Sequence, residues 1–575
     1  MALDHGVTAS GSSTPAEQRP AGRVSSVRSG TSIVGAIAVT AVALGVAVPV
    51  VAVLGRAVRP SGAWSLDAVE RILDNARTWR LVALTIAQAA ASTALTAAVG
   101  VPLAWALARY RFVGRSFVRS AAMVPFVLPS VVLGAAIASV LGPVGLQGVR
   151  GTWWPVLVAH LCFNLAVFVR VVGAALDGLD PALEDAARTL GVGPIGAARR
   201  VLLPAVQPAI RSAAVVVFLF CLTSFGVIVI LGGGQVSTIE VEIWVRATRQ
   251  FDLSGAAVLA GLQVAAVLAT LALHARVSRR GVRAVPSDRS WSTRPSGCAE
   301  WVHVGAAVSV VALITLVPLA ALVERSLRLP GGEHGLDHWR HLGSATAGTG
   351  LTVSPLDAVV VSLVAASLAT AFAVGIGVPA ARVAARRSGG VADRILLLPL
   401  GVSATTIGLG LLLAFGRPPI DLRRAWWLVP AAQALVAVPL VVRSVASALG
   451  ELPPSVTEVA ATLGASPRRR WWRVELPMVR GAVVAGAGLA FVASLGEFGA
   501  TVFLARADRP TVPVAIERLM SRPGSSGFGQ AMALSCVLVL VCGLALSGVD
   551  LIVGRVGGRR GALQADAADG IRLGL

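Results

Sequence analysis

Two stretches of this sequence repeat one spacing of acidic, small and Leu-Pro residues between apolar segments. The first is LEDAARTLGVGPIGAARRVLLP (residues 183–204), and the second is TEVAATLGASPRRRWWRVELP (residues 457–477). A shift of 273 residues superposes them without a gap, and it carries Asp185 onto Glu458, Gly191 onto Gly464, Pro204 onto Pro477, Phe225-Gly226 onto Phe498-Gly499 and Thr238 onto Thr511. Farther upstream, with small insertions, Pro102 corresponds to Pro379 and Pro125 to Pro399. The chain is therefore an internal repeat of one long unit.

The composition around the repeated stretches is that of a protein solvated by lipid. Hydrophobic residues make up 55% of the 575 residues, charged residues only 14%, and the mean hydropathy is +0.77. A hydrocarbon core of about 30 Å needs about 20 apolar residues per helix, and the sequence contains about a dozen such stretches. None of them alternates apolar and polar residues as a membrane β-barrel strand does. We therefore predict an all-α polytopic membrane protein.

The candidate membrane spans fall into two sets of six. The first set lies near residues 32–55, 79–108, 116–141, 153–177, 209–232 and 254–275, and the second near 302–324, 355–384, 391–415, 426–449, 481–505 and 528–553. Both copies run in the same direction and contain an even number of spans. This pattern predicts two parallel six-helix repeats related by an axis along the membrane normal.

The charge pattern excludes two classes of protein. The formal net charge is +21, but the basic residues cluster in short loops between apolar spans, where they indicate membrane orientation rather than nucleic-acid binding. All 50 basic side chains are arginines, because the sequence contains no lysine. A P-loop needs a lysine on the nucleotide phosphates. The chain is therefore not a standard P-loop ATPase by itself.

The linker between the two sets of spans predicts the orientation of the chain. From Arg276 to Cys298 it carries six arginines and one aspartate, which is typical of a cytoplasmic segment. Counting spans from it places both termini in the cytoplasm, although arginines 56, 59, 71 and 77 then lie in an outer loop. The predicted organisation is a disordered cytoplasmic tail (1–30), a first half (31–276), the linker (277–298), a second half (299–555) and a cytoplasmic tail (556–575).

Each repeated stretch is predicted to form a short cytoplasmic helix. In the first copy Asp180 can cap the helix and Pro181 suits its first turn, whereas in the second Ser455 and Glu458 have the spacing of a capping box. Gly191 and Gly464 are expected to end the two helices. We expect the chain then to turn through basic segments at 197–200 and 468–473 before the Leu-Pro pairs.

The doubled motif resembles the coupling motif of permease subunits of binding-protein-dependent ABC importers. The matching residues are Asp185, Ala186, Ala187, Gly191, Leu203 and Pro204 in the first copy, and Glu458, Ala460, Gly464, Leu476 and Pro477 in the second. The first copy has Asp185 where glutamate is usual, and the second has Val459 where alanine is usual. The resemblance covers nearly the whole chain beyond the N-terminal tail.

The resemblance implies a type I ABC importer fold in the inner membrane of a prokaryote, with no chemistry, cofactor or metal site of its own. Each motif helix would dock into a cleft on one of two ATP-binding subunits, with Asp185 and Glu458 as polar anchors. ATP-driven closure of those subunits would switch the permease between inward-facing and outward-facing states. An external substrate-binding protein would deliver the cargo.

Polar residues after each motif are candidates for the translocation path. Thr223 and Ser224 in the first half, and Ser494 and Glu497 in the second, lie in equivalent apolar spans; such residues face a cavity or bond to another helix. His160 and Asn164 are expected to pack rather than to bind. In TIEVEIW (238–244), Glu240 and Glu242 would lie on one side of an extended outer segment, where they could contact a binding protein.

The fused architecture, together with SFG (224–226), LGGG (231–234) and TIEVEIW (238–244), resembles the ferric iron and thiamine permeases more than the sulfate, molybdate or polyamine ones, which mostly use two separate chains. Ferric iron and thiamine are therefore the expected cargo. An ion- or proton-coupled secondary transporter also has two six-helix halves, but it would need charged relays within the membrane in both halves. The sequence contains no metal-binding cluster or nucleophile motif that would indicate a membrane-embedded enzyme.

Overall fold

The structure, a computed structural model, describes residues 31–572 except 61, 143–144, 279–291, 345–350, 387–389, 418–419, 423–424 and 522–524. The predicted disorder of residues 1–30 lies outside this range, as does most of the predicted linker. The first half contains helices α1 (Thr31–Val58), α2 (Asp67–Leu73), α3 (Ala76–Arg109), α4 (Arg115–Ala121), α5 (Val124–Val127), α6 (Ser130–Leu141), α7 (Trp153–Asp177), α8 (Pro181–Thr189), α9 (Pro194–Ala197), α10 (Leu203–Leu222), α11 (Gly226–Leu231), α12 (Ile239–Thr248) and α13 (Leu253–Ser278).

The second half repeats this order. Its helices are α14 (Cys298–Leu327), α15 (Asp337–Arg340), α16 (Pro355–Arg386), α17 (Val391–Gly401), α18 (Ala404–Phe415), α19 (Leu428–Gly450), α20 (Pro454–Thr462), α21 (Pro467–Arg470), α22 (Leu476–Gly496), α23 (Thr501–Leu504), α24 (Val512–Met520) and α25 (Ser525–Arg572). Two-residue strands β1 (Gly416–Arg417) and β2 (Ile420–Asp421) form a small antiparallel ladder after α18. Because α25 continues to Arg572, the predicted tail at 556–575 is largely helical.

The prediction of an all-α protein with about twelve membrane helices is confirmed. In the part of the chain that the structure describes, ten single helices are long and apolar enough to cross a membrane, and two bent pairs raise the number to twelve if each pair is one span. The bent pairs are 115–141, with an angle of 104°, and 391–415, with an angle of 87°. They occupy the third position of each half.

Prolines and extended residues cause these two breaks. Leu128 is extended before Pro129, which disfavours helical backbone in the residue that precedes it. In the second half Val402 is extended, and the Ser403 hydroxyl caps α18 by accepting a hydrogen bond from the Thr406 amide at 3.1 Å. The breaks leave α6 and α18 buried over most of their length, with their first residues at the junction of the two halves.

The predicted boundaries of the fifth and eleventh spans are wrong. The spans run over 195–222 and 467–496 rather than 209–232 and 481–505, because the basic segments are helical and do not turn. In both halves a π-helical turn, at 198–202 and at 471–475, joins the short helix to the span. Each π turn lies just before Pro204 or Pro477. Proline has no amide hydrogen to donate to the preceding turn, and the wider π turn accommodates the missing hydrogen bond. The spans then end at Thr223 and Glu497.

The first helix of each half packs against the other half. Val42 of α1 belongs to a core cluster with Ala373, Val441 and other second-half residues, whereas Val311 of α14 belongs to one with Val131 and its neighbours in α6. The contact of α1 with α18 is close: a Cβ at Gly410 would lie 2.6 Å from the Cα of Pro49. This exchange of first helices ties the two halves into one transmembrane unit.

Candidate coupling helices and translocation cavity

Helices α8 and α20, which we call the coupling helices, end in the same way. The Val192 amide donates to the Ala187 carbonyl and the Gly191 amide to the Arg188 carbonyl, and Gly191 has a φ of 77°. The same two bonds recur from Ala465 and Gly464, where the φ of Gly464 is 74°. This is a Schellman motif, which favours glycine because the left-handed backbone disfavours a Cβ. The prediction that the two glycines end the helices is confirmed.

The starts of the coupling helices differ. The Asp180 carboxylate accepts a hydrogen bond from the Ala182 amide at 3.0 Å, and Pro181 occupies the first helical position, as predicted. The predicted capping box at Ser455 and Glu458 is wrong, because α20 begins earlier, at Pro454, and both residues lie inside it without a side-chain cap. The proline, with its fixed φ, starts this helix instead.

One face of each coupling helix is open to solvent. Asp185 and Ala186 are exposed on α8, and Glu458 is exposed on α20, whereas Ala187 and Ala460 are buried against the rest of the protein. Beside these residues Leu190 is 82% exposed and its counterpart Leu463 is 81% exposed. Each coupling helix therefore exposes an acidic residue on the helix and a leucine just after it, at matched positions of the repeat.

The buried face of the first coupling helix, α8, is anchored by ion pairs that were not predicted from the sequence. Glu184, which is 7% exposed, accepts hydrogen bonds from Arg109 Nη2 at 3.0 Å and from Arg188 Nη2 at 2.7 Å. Arg109 ends the second span, so the pair joins the coupling helix to the membrane domain. The spacing of Glu184 and Arg188, four residues apart on a helix, was the available sequence signal.

In the second half the ion pairs do not involve α20 itself, but join the segment that follows it, α21 and the π turn, to α16. Arg382 in α16 donates to both carboxylate oxygens of Glu475, at 3.1 and 3.4 Å, and Arg470 donates to the same group at 3.0 Å. Glu475 lies at the end of the π turn, immediately before Leu476-Pro477, and Leu203-Pro204 has the same position after the first π turn. The Leu-Pro pairs therefore begin α10 and α22, the α-helical parts of these spans that follow the π turns.

A cavity of about 300 Å³ lies where the two halves meet, and residues from both halves line it. Three of the four predicted path residues, Thr223, Ser224 and Glu497, line this cavity. Ser494 is buried nearby but does not belong to the lining. His160 and Asn164 are buried, as expected of packing residues, and they also line the cavity. The rest of the lining is rich in aromatic side chains from both halves.

The two Phe-Gly pairs of the repeat meet in the wall of this cavity. The rings of Phe225 and Phe498 stack with their centroids 5.0 Å apart and their planes inclined by 18°. Both glycines allow close packing, because a Cβ at Gly226 would collide with the Ser130 hydroxyl and one at Gly499 would lie 3.0 Å from the Ala404 Cβ. In the sequence these pairs stand out only as part of the repeat, which does not indicate that they meet.

The polar groups of the cavity are connected to the surrounding helices. The His160 ring bonds to Ser92 through Nδ1 at 2.9 Å and to Ser224 through Nε2 at 2.8 Å. Glu497 accepts hydrogen bonds from the amides of Ala500 at 2.7 Å and Thr501 at 3.0 Å, and also from the Thr501 hydroxyl. Glu497 therefore caps the turn into α23 while one side of it faces the cavity.

The prediction that residues 238–244 form an extended, outward-facing segment is wrong. Residues 239–248 form helix α12, in which Glu240 is fully buried and Glu242 pairs with Arg246 at 3.0 Å. Neither carboxylate oxygen of Glu240 makes a hydrogen bond to a residue in the described ranges. Burial raises the pKa of the Glu240 carboxyl to about 8, although the neighbouring Ser403 and Gln263 side chains oppose this shift. In this conformation the Glu240 side chain is therefore not accessible to a binding protein.

Comparison with known proteins gives the family of the chain. Residues 100–283 and 373–557 each match the family described as the binding-protein-dependent transport system inner membrane component. The chain belongs to this family. The two matches cover the broken span, the coupling helix and the cavity-lining segments of each half, so the permease is a fused protein that contains the family unit twice.

Individual relatives differ in how much of the permease they span. A probable ABC transporter permease of Sinorhizobium fredii is 26% identical over 502 residues, which cover 82% of this chain and 87% of the relative. The thiamine transport system permease of Brucella abortus is 26% identical over 487 residues, with coverage of 81% and 86%. The molybdenum transport system permease of Mycobacterium tuberculosis is 33% identical over 269 residues, which cover 44% of this chain and 95% of that protein. The permease therefore resembles both fused and single-unit relatives.

Proposed function

We propose that this permease carries a small solute from an external binding protein into the cytoplasm, driven by ATP hydrolysis on two separate ATP-binding subunits. The observation that supports this most directly is the pair of coupling helices, which repeat one exposed face and one Schellman end at a distance of 273 residues. Among the described residues, ten helices and two bent pairs have the length and composition of membrane spans. In this proposal the coupling helices lie in the cytoplasm, and so do both termini.

The coupling residues have a defined role in this proposal. Asp185 and Glu458 contact the ATP-binding subunits as polar anchors, and Ala186 leaves room for close approach. Ala187 and Ala460 pack inward, Gly191 and Gly464 set the helix ends, and Leu203-Pro204 and Leu476-Pro477 pass the motion into the spans. The ion pairs of Glu184 hold α8 to the second span, and those of Glu475 hold the segment that follows α20 to α16, so that displacement of a coupling helix moves the spans with it.

The cavity favours thiamine over ferric iron as the cargo. Its lining contains five phenylalanines, at 126, 163, 220, 225 and 498, with hydroxyls and one carboxylate, and no arginine among the described residues that line it. Thiamine is an aromatic cation, and aromatic faces attract cations. Ferric iron prefers several hard oxygen ligands, whereas the Glu497 carboxylate is already bonded to backbone amides. The relative named for thiamine also shares the fused architecture.

Reconstitution in proteoliposomes tests the proposal. The permease is combined with the ATP-binding subunit and binding protein encoded beside it, and ATP hydrolysis and uptake are measured with thiamine and, separately, with ferric iron. We expect thiamine to stimulate both. Replacing Asp185 and Glu458 together by arginine should abolish the stimulation, whereas Glu70→Arg, at an exposed glutamate on α2, should not.

The outcomes separate the parts of the proposal. Stimulation by ferric iron alone would contradict the choice of thiamine as cargo, but it would not contradict the proposed role of the coupling helices. Stimulation that survives the double arginine variant would contradict the coupling role. Uptake that needs an ion gradient and no ATP would instead support the secondary transporter.

A further inference from the structure

An apolar groove of about 790 Å³ lies between α1 and the second half, beside residues 466–476, which follow α20 and which we call the second coupling segment. Its walls are Val34 of α1, Val374 and Val378 of α16, and Val483 of α22, with Gly375 between them. A Cβ at Gly375 would meet no atom within 4 Å, so the groove is open at this point. Because these helices cross the membrane, the groove faces the acyl-chain region of the bilayer.

The end of the groove beside the coupling segment is cationic and aromatic. Arg382, Arg468, Trp471 and Trp472 line it, and the Arg382 guanidinium lies 4.6 Å from the centroid of the Trp471 ring. The single carboxylate of Glu475 pairs with two guanidinium groups, those of Arg382 and Arg470, so this cluster keeps one positive charge. Arg468 is exposed and has no acidic partner in the described ranges. Trp472 is 60% exposed. No carboxylate belongs to the described lining, so the mouth is net positive.

The first half contains an equivalent groove without this charge. It lies between α3 and α14, measures about 460 Å³, and is lined by Val99, Pro102, Tyr110, Ala306 and other residues, with no arginine among those described. Under the 273-residue shift Arg468-Arg469-Arg470-Trp471 correspond to Ile195-Gly196-Ala197-Ala198, and the two arginines that follow in the first half, Arg199 and Arg200, do not line its groove. The positive mouth is therefore a feature of the second half rather than of the repeated fold.

We propose that the groove of the second half binds one anionic phospholipid, with its phosphate at Arg468 and Trp472 and an acyl chain along the valine wall. Arginine presents paired donors to phosphate oxygens, and tryptophan favours the depth of the lipid headgroups. Basic pockets between membrane helices select anionic lipid headgroups by the same complementarity. The lipid would belong to the cytoplasmic leaflet, a placement that rests on the orientation in the proposed function. There it would hold α1 against the coupling segment of the second half.

Native mass spectrometry of the purified, delipidated full chain tests this site without any partner subunit. The chain is titrated with equimolar phosphatidylglycerol and phosphatidylcholine of identical acyl chains, and bound lipids are counted. We expect one phosphatidylglycerol to be retained preferentially. Arg468→Gln should lower the preference about fivefold, because one arginine near the headgroup contributes on that order. Arg468→Lys should restore part of it.

Variants of the groove walls test the position of the acyl chain. Gly375→Leu fills open space in the groove, so it should displace the lipid while the protein folds normally. Ala306→Leu makes a similar change in the groove of the first half and should leave the preference for phosphatidylglycerol unchanged. Equal retention of the two lipids by the wild-type chain would overturn the proposal, and so would a preference that survives both Arg468→Gln and Gly375→Leu. These results do not depend on ATP coupling, so they are separable from the test of function.

Discussion

The ring of Phe225 stacks on that of Phe498 across the junction of the two halves, with a centroid distance of 5.0 Å. The repeat shift relates the two residues, so each half contributes the same side chain to one contact. Both rings are buried and both line the central cavity. A contact between equivalent residues breaks when the halves separate, which makes this stack a candidate gate of the translocation path.

Replacing both phenylalanines by alanine should open this gate. An aromatic pair contributes on the order of 1 kcal/mol beyond the burial of its area. We therefore expect about a fivefold rise either in the rate of ATP hydrolysis in the absence of binding protein or in the rate of solute leak. Phe126→Ala is the matched control, because Phe126 lines the same cavity but packs on Phe163 and Phe220 within the first half. Hydrolysis and leak that stay at the wild-type rate in the double variant would rule out the gate.

Neutralising Glu184 should loosen the first coupling helix. Glu184→Gln weakens the ion pairs to Arg109 and Arg188, which are partly exposed and should contribute on the order of 1 kcal/mol in total. We expect the stimulation of ATP hydrolysis by the loaded binding protein to fall severalfold, with little change in the melting temperature. The charge exchange of Arg109→Glu with Glu184→Arg should recover part of the stimulation.

The pair in the second half should respond differently to the same change. Arg382 and Glu475 have side chains only 9% exposed, so Glu475→Gln leaves a buried arginine less well paired and should lower the melting temperature as well as the coupling. Thermal unfolding in detergent and stimulated ATP hydrolysis, measured on both variants, check the contrast. Equal losses of stability in the two variants would show that burial does not distinguish the two anchors.

The sequence predicted the repeated architecture well and the local geometry less well. The spans, the coupling helices and their glycine ends follow from hydrophobicity and from rules that act within a few residues. The Phe225–Phe498 stack and the Arg109–Glu184 pair depend on how distant segments meet, which a single sequence does not show. The exposure of Glu240 was mispredicted because alternating charges in a short segment suit either a strand or a helix, and only its packing decides between them.

Replacing the glycines that end the coupling helices by alanine should weaken coupling, and only through a change in backbone conformation. Gly191 and Gly464 have φ values of 77° and 74°, and an added Cβ would meet no atom within 4 Å at either position. The cost is therefore conformational, about 1 kcal/mol at each site, and it should change how the exposed face is presented. Gly193→Ala is the matched control, since Gly193 lies in the same loop, has open space and is not among the glycines of positive φ. Binding of the ATP-binding subunit, measured by co-purification, should fall for the first two variants and not for the third.

The buried Glu240 should make the stability of the permease depend on pH. Its folded-state pKa of about 8 lies above the ordinary value of 4.5, so between these two values the folded protein holds a proton that the unfolded chain has lost. Stability therefore falls as the pH rises through this window and levels off above it. Glu240→Gln cannot ionise and should escape this fall.

Thermal unfolding of the wild type and of Glu240→Gln between pH 6 and pH 9 measures this effect. We expect the advantage of the variant in melting temperature to grow with pH up to about pH 8, the folded-state pKa, and then to stay constant. Glu70→Gln, at an exposed site on α2, should follow the wild type throughout. If the wild type and Glu240→Gln unfold with parallel pH profiles, the carboxyl is ionised in the folded protein over this range and must have a charge partner. Such profiles would contradict a raised pKa for the Glu240 carboxyl.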